Sequence, residues 1–358
     1  MVKKTPYRVV QWATGKLGAE SLRQIIDHSD LELVGLYVYS DEKVGKDAGE
    51  LCDRPDTGII ATNRIEDILA LDADAVFHMP TLEPTTDNSD QEVCALLAAG
   101  KNVISIRGYW YPAWRGPDYS RQFEEAARAG NATLFGTGIS PGFVFDRIGP
   151  MLSGFCANVR GLDFDEYFDL RMRPWRTVHD VCGLGHPPGH VTPEHPACVT
   201  LTALYAEMYH FMAHQLGTTC TDVTLDITAF PAEQDIVIKT GTIAAGTGKA
   251  TIWHWTAQLA NGLVLNHRSH WHVGAVEGWD PRNVWIVSVD GEPKFRAEMV
   301  LEQSGADGLT PGGYDPNGRA LAATCVNALP EVMAAGPGIL IPPSFAYYRP
   351  SMKETPSR

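Results

Sequence analysis

The sequence predicts an α/β protein: a doubly wound parallel sheet, followed by an α+β domain built on an open, mixed and largely antiparallel sheet. Three observations predict it. Residues 7–18, Tyr-Arg-Val-Val-Gln-Trp-Ala-Thr-Gly-Lys-Leu-Gly, read as a strand running into a tight turn and then a helix, with a second apolar run at 31–39. Short apolar strands then alternate with helical stretches as far as residue 136. After Asp146 the period changes, and long two-residue alternations take over.

In the first part, strands are expected at 8–12, 33–39, 75–78, 102–106 and 133–136, and helices at 17–28, 65–70, 89–99 and 119–129. Most of these strands are apolar throughout, as in a parallel sheet buried on both faces. Gly100 and Gly130 stand just past helices, where the chain needs a positive φ. In the second part, strands are expected at 161–170, 222–230, 236–244, 249–259, 263–273, 284–289 and 294–301, with a helix over 196–216. Asp290-Gly291 reads as a hairpin turn between the last two. An apolar stripe through Ala320, Leu321, Ala323, Cys325, Val326, Ala328 and Leu329 makes 318–334 a helix, expected to pack back on the first domain. The domain boundaries read as 1–148, completed by about 318–358, and 149–317 between them.

Bulk composition excludes several classes. A chain of 358 residues with 44% hydrophobic content can bury two cores. A net charge of -14 argues against nucleic acid and anionic membrane surfaces. No apolar run approaches the roughly 18 residues of a membrane span, and Met-Val-Lys-Lys-Thr-Pro-Tyr at the start has no signal-peptide core. Seven scattered cysteines without a C-x-x-C pair read as free thiols in a reducing cytoplasm.

The turn carries the chemistry. Ala13-x-Gly15-x-x-Gly18 is a G-x-G-x-x-G motif with Ala in the first place, lying between a strand and a helix. In that setting the helix N-terminus offers N–H groups and a positive dipole end to a pyrophosphate, so Ala13, Thr14, Gly15, Lys16, Leu17 and Gly18 are candidate dinucleotide contacts of a Rossmann domain. At the end of the second strand, where an acid would receive ribose hydroxyls, stand Tyr39 and Ser40, with Asp41 just beyond and Lys43 near. A hydroxyl and an ammonium suit a 2′-phosphate, while Asp41 keeps NAD open, so the cofactor reads as NADP or NAD. His78, Met79 and Pro80 end another strand near the expected ribose and nicotinamide. In Gly136-Thr-Gly-Ile-Ser-Pro-Gly-Phe143, Gly138 permits close backbone approach to the cofactor, and Ile139, Ser140, Pro141 and Phe143 are candidate substrate contacts.

Several segments, in order along the chain, carry a family resemblance. They are Ala-Thr-Gly-Lys-Leu-Gly at 13–18, Val-Gly-Lys-Asp-Ala-Gly-Glu-Leu at 44–51, Ala-Gly-Lys-Asn-Val at 99–103, Gly-Thr-Gly-x-x-Pro-Gly-Phe at 136–143 and Val-Asn-Ala-Leu-Pro at 326–330. Together they resemble the 2,4-diaminopentanoate dehydrogenases and native amine dehydrogenases, distant relatives of dihydrodipicolinate reductase. The resemblance implies a Rossmann domain, an α+β substrate domain, a homodimer and NAD(P)H-dependent reduction. In amine-forming members, ammonia and a ketone condense and hydride is delivered to the iminium.

One departure bears on the substrate. Amine-forming relatives carry a Glu shortly after the Lys-Asn-Val strand, where this chain reads Ile104-Ser-Ile-Arg-Gly-Tyr-Trp-Tyr-Pro112. A carboxylate stabilises an iminium and a guanidinium repels one, so Arg107 and Tyr109 suit a carbonyl or carboxylate better. Reductive amination therefore stands beside a ketone reductase or alcohol dehydrogenase needing no ammonia, and beside a non-catalytic NADP-binding protein. Proton donation to a developing alkoxide falls to Tyr109, Tyr167, His179 or Ser140. Phe168 and Trp175 are expected to line the substrate pocket. His186, His190 and His195, the pair His210 and His214, and His267, His270 and His272 raise zinc, but H-E-x-x-H is missing and no metal is expected.

Overall fold

The computed structural model describes residues 5–80, 88–173, 176–302 and 315–344. The chain divides into two compact units, Met1–Phe143 with Gly312–Pro342, and Val144–Pro311 with Pro343–Arg358.

The first unit holds β1 (Tyr7–Trp12), α1 (Lys16–Asp27), β2 (Leu31–Tyr37), α2 (Ile65–Leu69), β3 (Ala75–His78), α3 (Ser89–Ala98), β4 (Asn102–Ser105), α4 (Pro117–Gly130) and β5 (Thr133–Gly136). The second unit supplies α5 (Gly149–Ser153), β6 (Ala157–Asp169), α6 (Arg176–Val181), α7 (Pro196–Gln215), β7 (Cys220–Pro231), β8 (Ile236–Ile238), β9 (Gly241–Ile243), β10 (Gly248–Leu259), β11 (Val264–His272), β12 (Val284–Glu292) and β13 (Phe295–Val300). The chain then returns to the first unit with α8 (Pro316–Ala334) and β14 (Gly338–Ile339).

In the first unit the strand order is β2-β1-β3-β4-β5-β14, and every pair is parallel. Side-chain alternation splits its core into two layers. Val9, Ala75, Phe77, Ile104 and Phe135 meet Ile25 of α1 and Cys325, Val326, Leu329 and Val332 of α8. Val10, Val76, Val103 and Leu134 meet Val93, Leu96 and Leu97 of α3 and Phe123 and Ala127 of α4 on the opposite face. The strand order reverses between β1 and β3, so their carboxyl ends flank the crevice where such sheets take ligands.

The second unit's sheet runs β13-β12-β6-β11-β10-β7, antiparallel except for the parallel pair of β6 and β11. Trp253, Trp255 and Ala257 of β10 turn to one face and are fully buried, while Ile252, His254 and Thr256 turn to the other and are partly exposed. α7 lies on the buried face, where Trp255 Nε1 donates to Thr202 Oγ1 at 3.0 Å and the Tyr205 ring packs 4.5 Å from Trp255.

Three expectations are corrected. The single strand read over 236–244 is a hairpin, β8 against β9, because the chain reverses before Gly241, whose φ of 140° is open only to glycine. The turn read at Asp290-Gly291 falls later, at Pro293 between the ends of β12 and β13. Gly291 stays within β12, where a Cβ would meet Cys156 Cβ at 2.8 Å; close packing, not the turn, requires the glycine there. The second strand also ends at Tyr37, two residues before the expected position.

Candidate dinucleotide and substrate site residues

The turn after β1 is built from backbone constraints. Ala13 takes a φ of 70°, a left-handed conformation that costs an L-residue about 1–2 kcal/mol. Buried Gln11 braces it: its Nε2 donates to Ala13 O at 2.9 Å and to Trp12 O at 3.2 Å. A Cβ at Gly18 would sit 2.1 Å from Ala13 O, so only glycine lets α1 start this close to the strand end. Gly15 is the N-cap in extended conformation, contributes no side-chain cap, and the first turn of α1 holds no acid. Backbone N–H groups and the positive end of the helix dipole therefore face this turn.

Two lysines border it. Lys43 Nζ donates to Thr14 O at 2.8 Å and to Thr14 Oγ1 at 3.2 Å, which lays its ammonium over the turn rather than along the strand end. Lys16 pairs with Asp315, the residue that caps α8. Ser40 leads into a short 3-10 turn over Asp41–Lys43, and Asp41 accepts from Asn63 Nδ2 at 2.8 Å.

A chain of hydrogen bonds ties the carboxyl ends of the strands together. Trp12 Nε1 donates to the Tyr39 hydroxyl oxygen at 2.9 Å, and that hydroxyl donates to Glu92 Oε2 at 2.6 Å. His78 Nε2 lies 3.3 Å from the same oxygen, and its Nδ1 lies 2.9 Å from Ser105 Oγ. Arg107 N donates to Ser105 Oγ at 3.2 Å. A carboxylate only accepts, so the proton sits on His78 Nε2 and Ser105 donates to Nδ1. Every donor in the chain thus points toward Glu92 of α3. Burial and the Glu92 bond push the Tyr39 phenol well above its ordinary range. Met79 is buried and its N–H donates to Trp12 O at 3.1 Å; Pro80 beside it is also buried.

The sequence-derived candidates for chemistry fall in different surroundings. Tyr109 has a φ of 68°, is 4% exposed and donates its hydroxyl to Asp90 Oδ1 at 2.7 Å, which holds it in the core beside Phe123. His179 is fully buried, with Nε2 on Leu170 O at 2.8 Å and Nδ1 on Thr240 Oγ1 at 3.3 Å, the environment of a core histidine. Tyr167 stacks on His270 at 4.1 Å and meets Trp279 edge-on; burial raises its pKa. Phe168 packs edge-on against Trp285. Ile139 bridges to Gly142 and its carbonyl accepts from Phe143 N at 3.1 Å, so the loop closes on itself. A Cβ at Gly138 would lie 2.2 Å from Pro141 O, so the close approach that glycine allows here is to the loop's own backbone. Ser140 and Pro141 form the tip, and Phe143 is 43% exposed. Trp175 lies outside the described residues.

Sequence reasoning missed a buried polar cluster under α7. Glu166 accepts from Ser269 Oγ and from Trp285 Nε1 at 3.2 Å, His267 Nε2 lies 3.3 Å from Ser269 Oγ, and His267 Nδ1 lies 2.9 Å from the Tyr209 hydroxyl. It also missed Gln11, Asp90 and Glu92. The available signal was a polar residue at a register position that faces a core, as with Gln11 between Val10 and Trp12. Among the described residues, no group of three or more His, Cys, Asp or Glu is placed to hold a metal ion. No described helix is long and apolar enough to cross a membrane.

No family model matches the chain. An amine dehydrogenase from Streptomyces virginiae is 24% identical over 348 residues, covering 92% of this chain and 93% of that one. Among solved structures, an amine dehydrogenase from Mycobacterium smegmatis superposes with a TM-score of 0.72 at 17% identity, covering 98% of each chain. GenD2, from gentamicin A biosynthesis and solved in complex with NAD, gives 0.51 at 13% identity, over 91% of this chain and 87% of that one. The chain shares the fold of the Mycobacterium amine dehydrogenase over 98% of its length.

Proposed function

We propose that the protein is an NAD(P)H-dependent oxidoreductase of the amine dehydrogenase type, delivering hydride to the C=N or C=O of a small ketone-derived substrate. The observation that carries this reading is the turn at 13–18. Its backbone is forced close to α1 by Gly18, leaves the helix N-terminus uncapped, and has Lys43 laid across Thr14. The end-to-end likeness to the Streptomyces amine dehydrogenase supports the same reading. Its motifs favour the branch of 2,4-diaminopentanoate dehydrogenases, distantly related to dihydrodipicolinate reductase, with a cytoplasmic homodimer as its working form.

The nicotinamide, when bound, supplies the hydride. The chain's part is to hold and orient. The N–H groups at Gly15–Gly18 take the diphosphate, and Thr14 and Lys43 add a hydroxyl and a positive charge. With no carboxylate at Tyr39 or Ser40 to receive the ribose hydroxyls, the strand end favours the phosphorylated coenzyme, NADPH. The ends of β3 and β4, pinned through His78, Ser105 and the N–H of Arg107, form the edge on which the nicotinamide half rests. We read the second unit as the substrate and dimerisation domain, with Tyr167 and Phe168 in its first long strand.

A second reading, carbonyl reduction without ammonia, is favoured by Arg107, where the resemblance places a Glu. One assay separates the two. NADPH and NADH consumption is followed over a panel of small ketones, with and without ammonia. Ammonia-dependent turnover is expected. Equal turnover without ammonia selects the second reading, and no turnover with coenzyme bound selects a nucleotide-binding protein.

A further inference from the structure

We propose that the face of the Tyr39 ring is the stacking platform for the purine base of the coenzyme. The inference rests on the dinucleotide reading above and names the residue that selects the adenosine half.

Tyr39 stands two residues beyond β2, at the carboxyl edge of the sheet and on the strand next to the turn at 13–18. Its side chain is divided. The hydroxyl is turned inward, taking a hydrogen bond from Trp12 Nε1 at 2.9 Å and giving one to Glu92 Oε2 at 2.6 Å. Its one proton is committed to a carboxylate, so it has none to donate to a ribose hydroxyl or a phosphate. The residue is nevertheless 49% exposed, and among the described aromatic residues only Phe155 is more so. A phenol anchored at its tip and half open to solvent presents ring, not hydroxyl.

The ring is also held in direction. Tyr37 meets it edge-on at 5.2 Å and is itself stacked on Trp12 at 3.8 Å, so three aromatic rings brace one another at the ends of β1 and β2. Lys43, four residues on, fixes where charge lies, above Thr14. A purine nucleotide meets both demands, its phosphate answering Lys43 and its flat, uncharged base answering Tyr39. Base-on-aromatic stacking needs no hydrogen-bond donor from the protein.

Binding of NADPH, NADH and adenosine 2′,5′-bisphosphate is measured by calorimetry on the full chain, for wild type and for Tyr39→Leu and Tyr39→Phe. Tyr39→Leu keeps apolar bulk and loses the π face; Tyr39→Phe keeps the face and loses the anchor. Tyr39→Leu is expected to weaken NADPH and the bisphosphate by the same factor, about tenfold or more, within the usual range for loss of one stacked base. Tyr39→Phe is expected to stay within about threefold of wild type for both ligands, since it retains the stacking face. Wild-type affinity in Tyr39→Leu, or weakening of NADPH without weakening of the bisphosphate, overturns the platform. A loss in Tyr39→Phe as large as in Tyr39→Leu overturns it too, because the hydroxyl would then be the binding group. If wild type binds neither reduced coenzyme, the dinucleotide reading itself falls, and this inference with it.

Discussion

Two glycine-bearing segments follow parallel strands in the first unit, and they use glycine differently. At 13–18, Gly18 lets a helix approach the strand end, and the N–H groups of the helix terminus stay on the outside of the turn. At 136–143, Gly138 and Gly142 let the chain fold onto its own backbone; a Cβ on Gly142 would lie 2.2 Å from Gly138 N. The first spacing creates a surface that other groups can approach, while the second fills its own interior. Glycine spacing alone does not tell them apart. What differs is the element that follows: α1 with its uncapped N-terminus in one case, a π-helical turn over Val144–Ile148 in the other.

The comparison breaks if the two segments respond alike to an added methyl. Gly142→Ala combines a backbone clash with a φ of 120°, and is expected to destabilise the fold by about 3 kcal/mol or more. Gly18→Ala meets Ala13 O, with an expected cost of about 1–3 kcal/mol. Coenzyme affinity, measured on the folded fraction, should separate them: kept in Gly142→Ala, lost in Gly18→Ala. Equal loss of affinity in both would place the loop in the coenzyme site together with the turn.

Acid sharpens the contrast between the two units. Burial holds His270 and His272 below the ordinary imidazole range, so folding keeps them neutral. An unfolded chain takes up their protons first. Stability is therefore full above the unfolded imidazole pKa, near 6.5, and falls as pH drops below it, by up to about 1.4 kcal/mol per pH unit for each histidine. Denaturant melts between pH 7.5 and 5 should show this slope. His272→Leu should flatten it by as much as one proton, and an unchanged slope would remove His272 from the account.

The smallest expected effect is a gain. Ala13→Gly relieves a left-handed φ at a position the motif assigns to glycine. Greater freedom in the unfolded chain offsets part of the relief. A rise of about 0.5–1 kcal/mol in stability, read from chemical denaturation, is expected. A fall would mean that the Gln11 bonds to Trp12 O and Ala13 O depend on the alanine.

The fold was largely legible because its strands are short apolar runs with clear periods. β1, β3 and β5 sit within a residue of their expected bounds, and α7 and α8 within two. β14 was not legible: two residues pairing with Thr133 and Leu134 carry no periodic signal. In the candidate site, the turn was visible because glycine demands there are steric and local. Side-chain direction was not. Tyr39 reads as a hydroxyl in one dimension, and only the fold shows that hydroxyl turned toward Glu92, 53 positions away. Glu92 itself looks like a solvated helix residue, since α3 alone does not reveal that the strand ends lie beside it.

The placement of α8 has a consequence for synthesis. Val9, Phe77 and Ile104 are covered on one face by Cys325, Val326, Leu329 and Val332, which leave the ribosome after all of the second unit's sheet. The second unit, complete in sequence by Val300 apart from its tail, is made in between. At roughly 5–20 residues per second, the first five strands wait about 10–40 s with an apolar flank bare. The nascent chain is therefore most exposed to aggregation and to chaperone capture during that interval, and C-terminal truncation before residue 334 leaves the flank open for good.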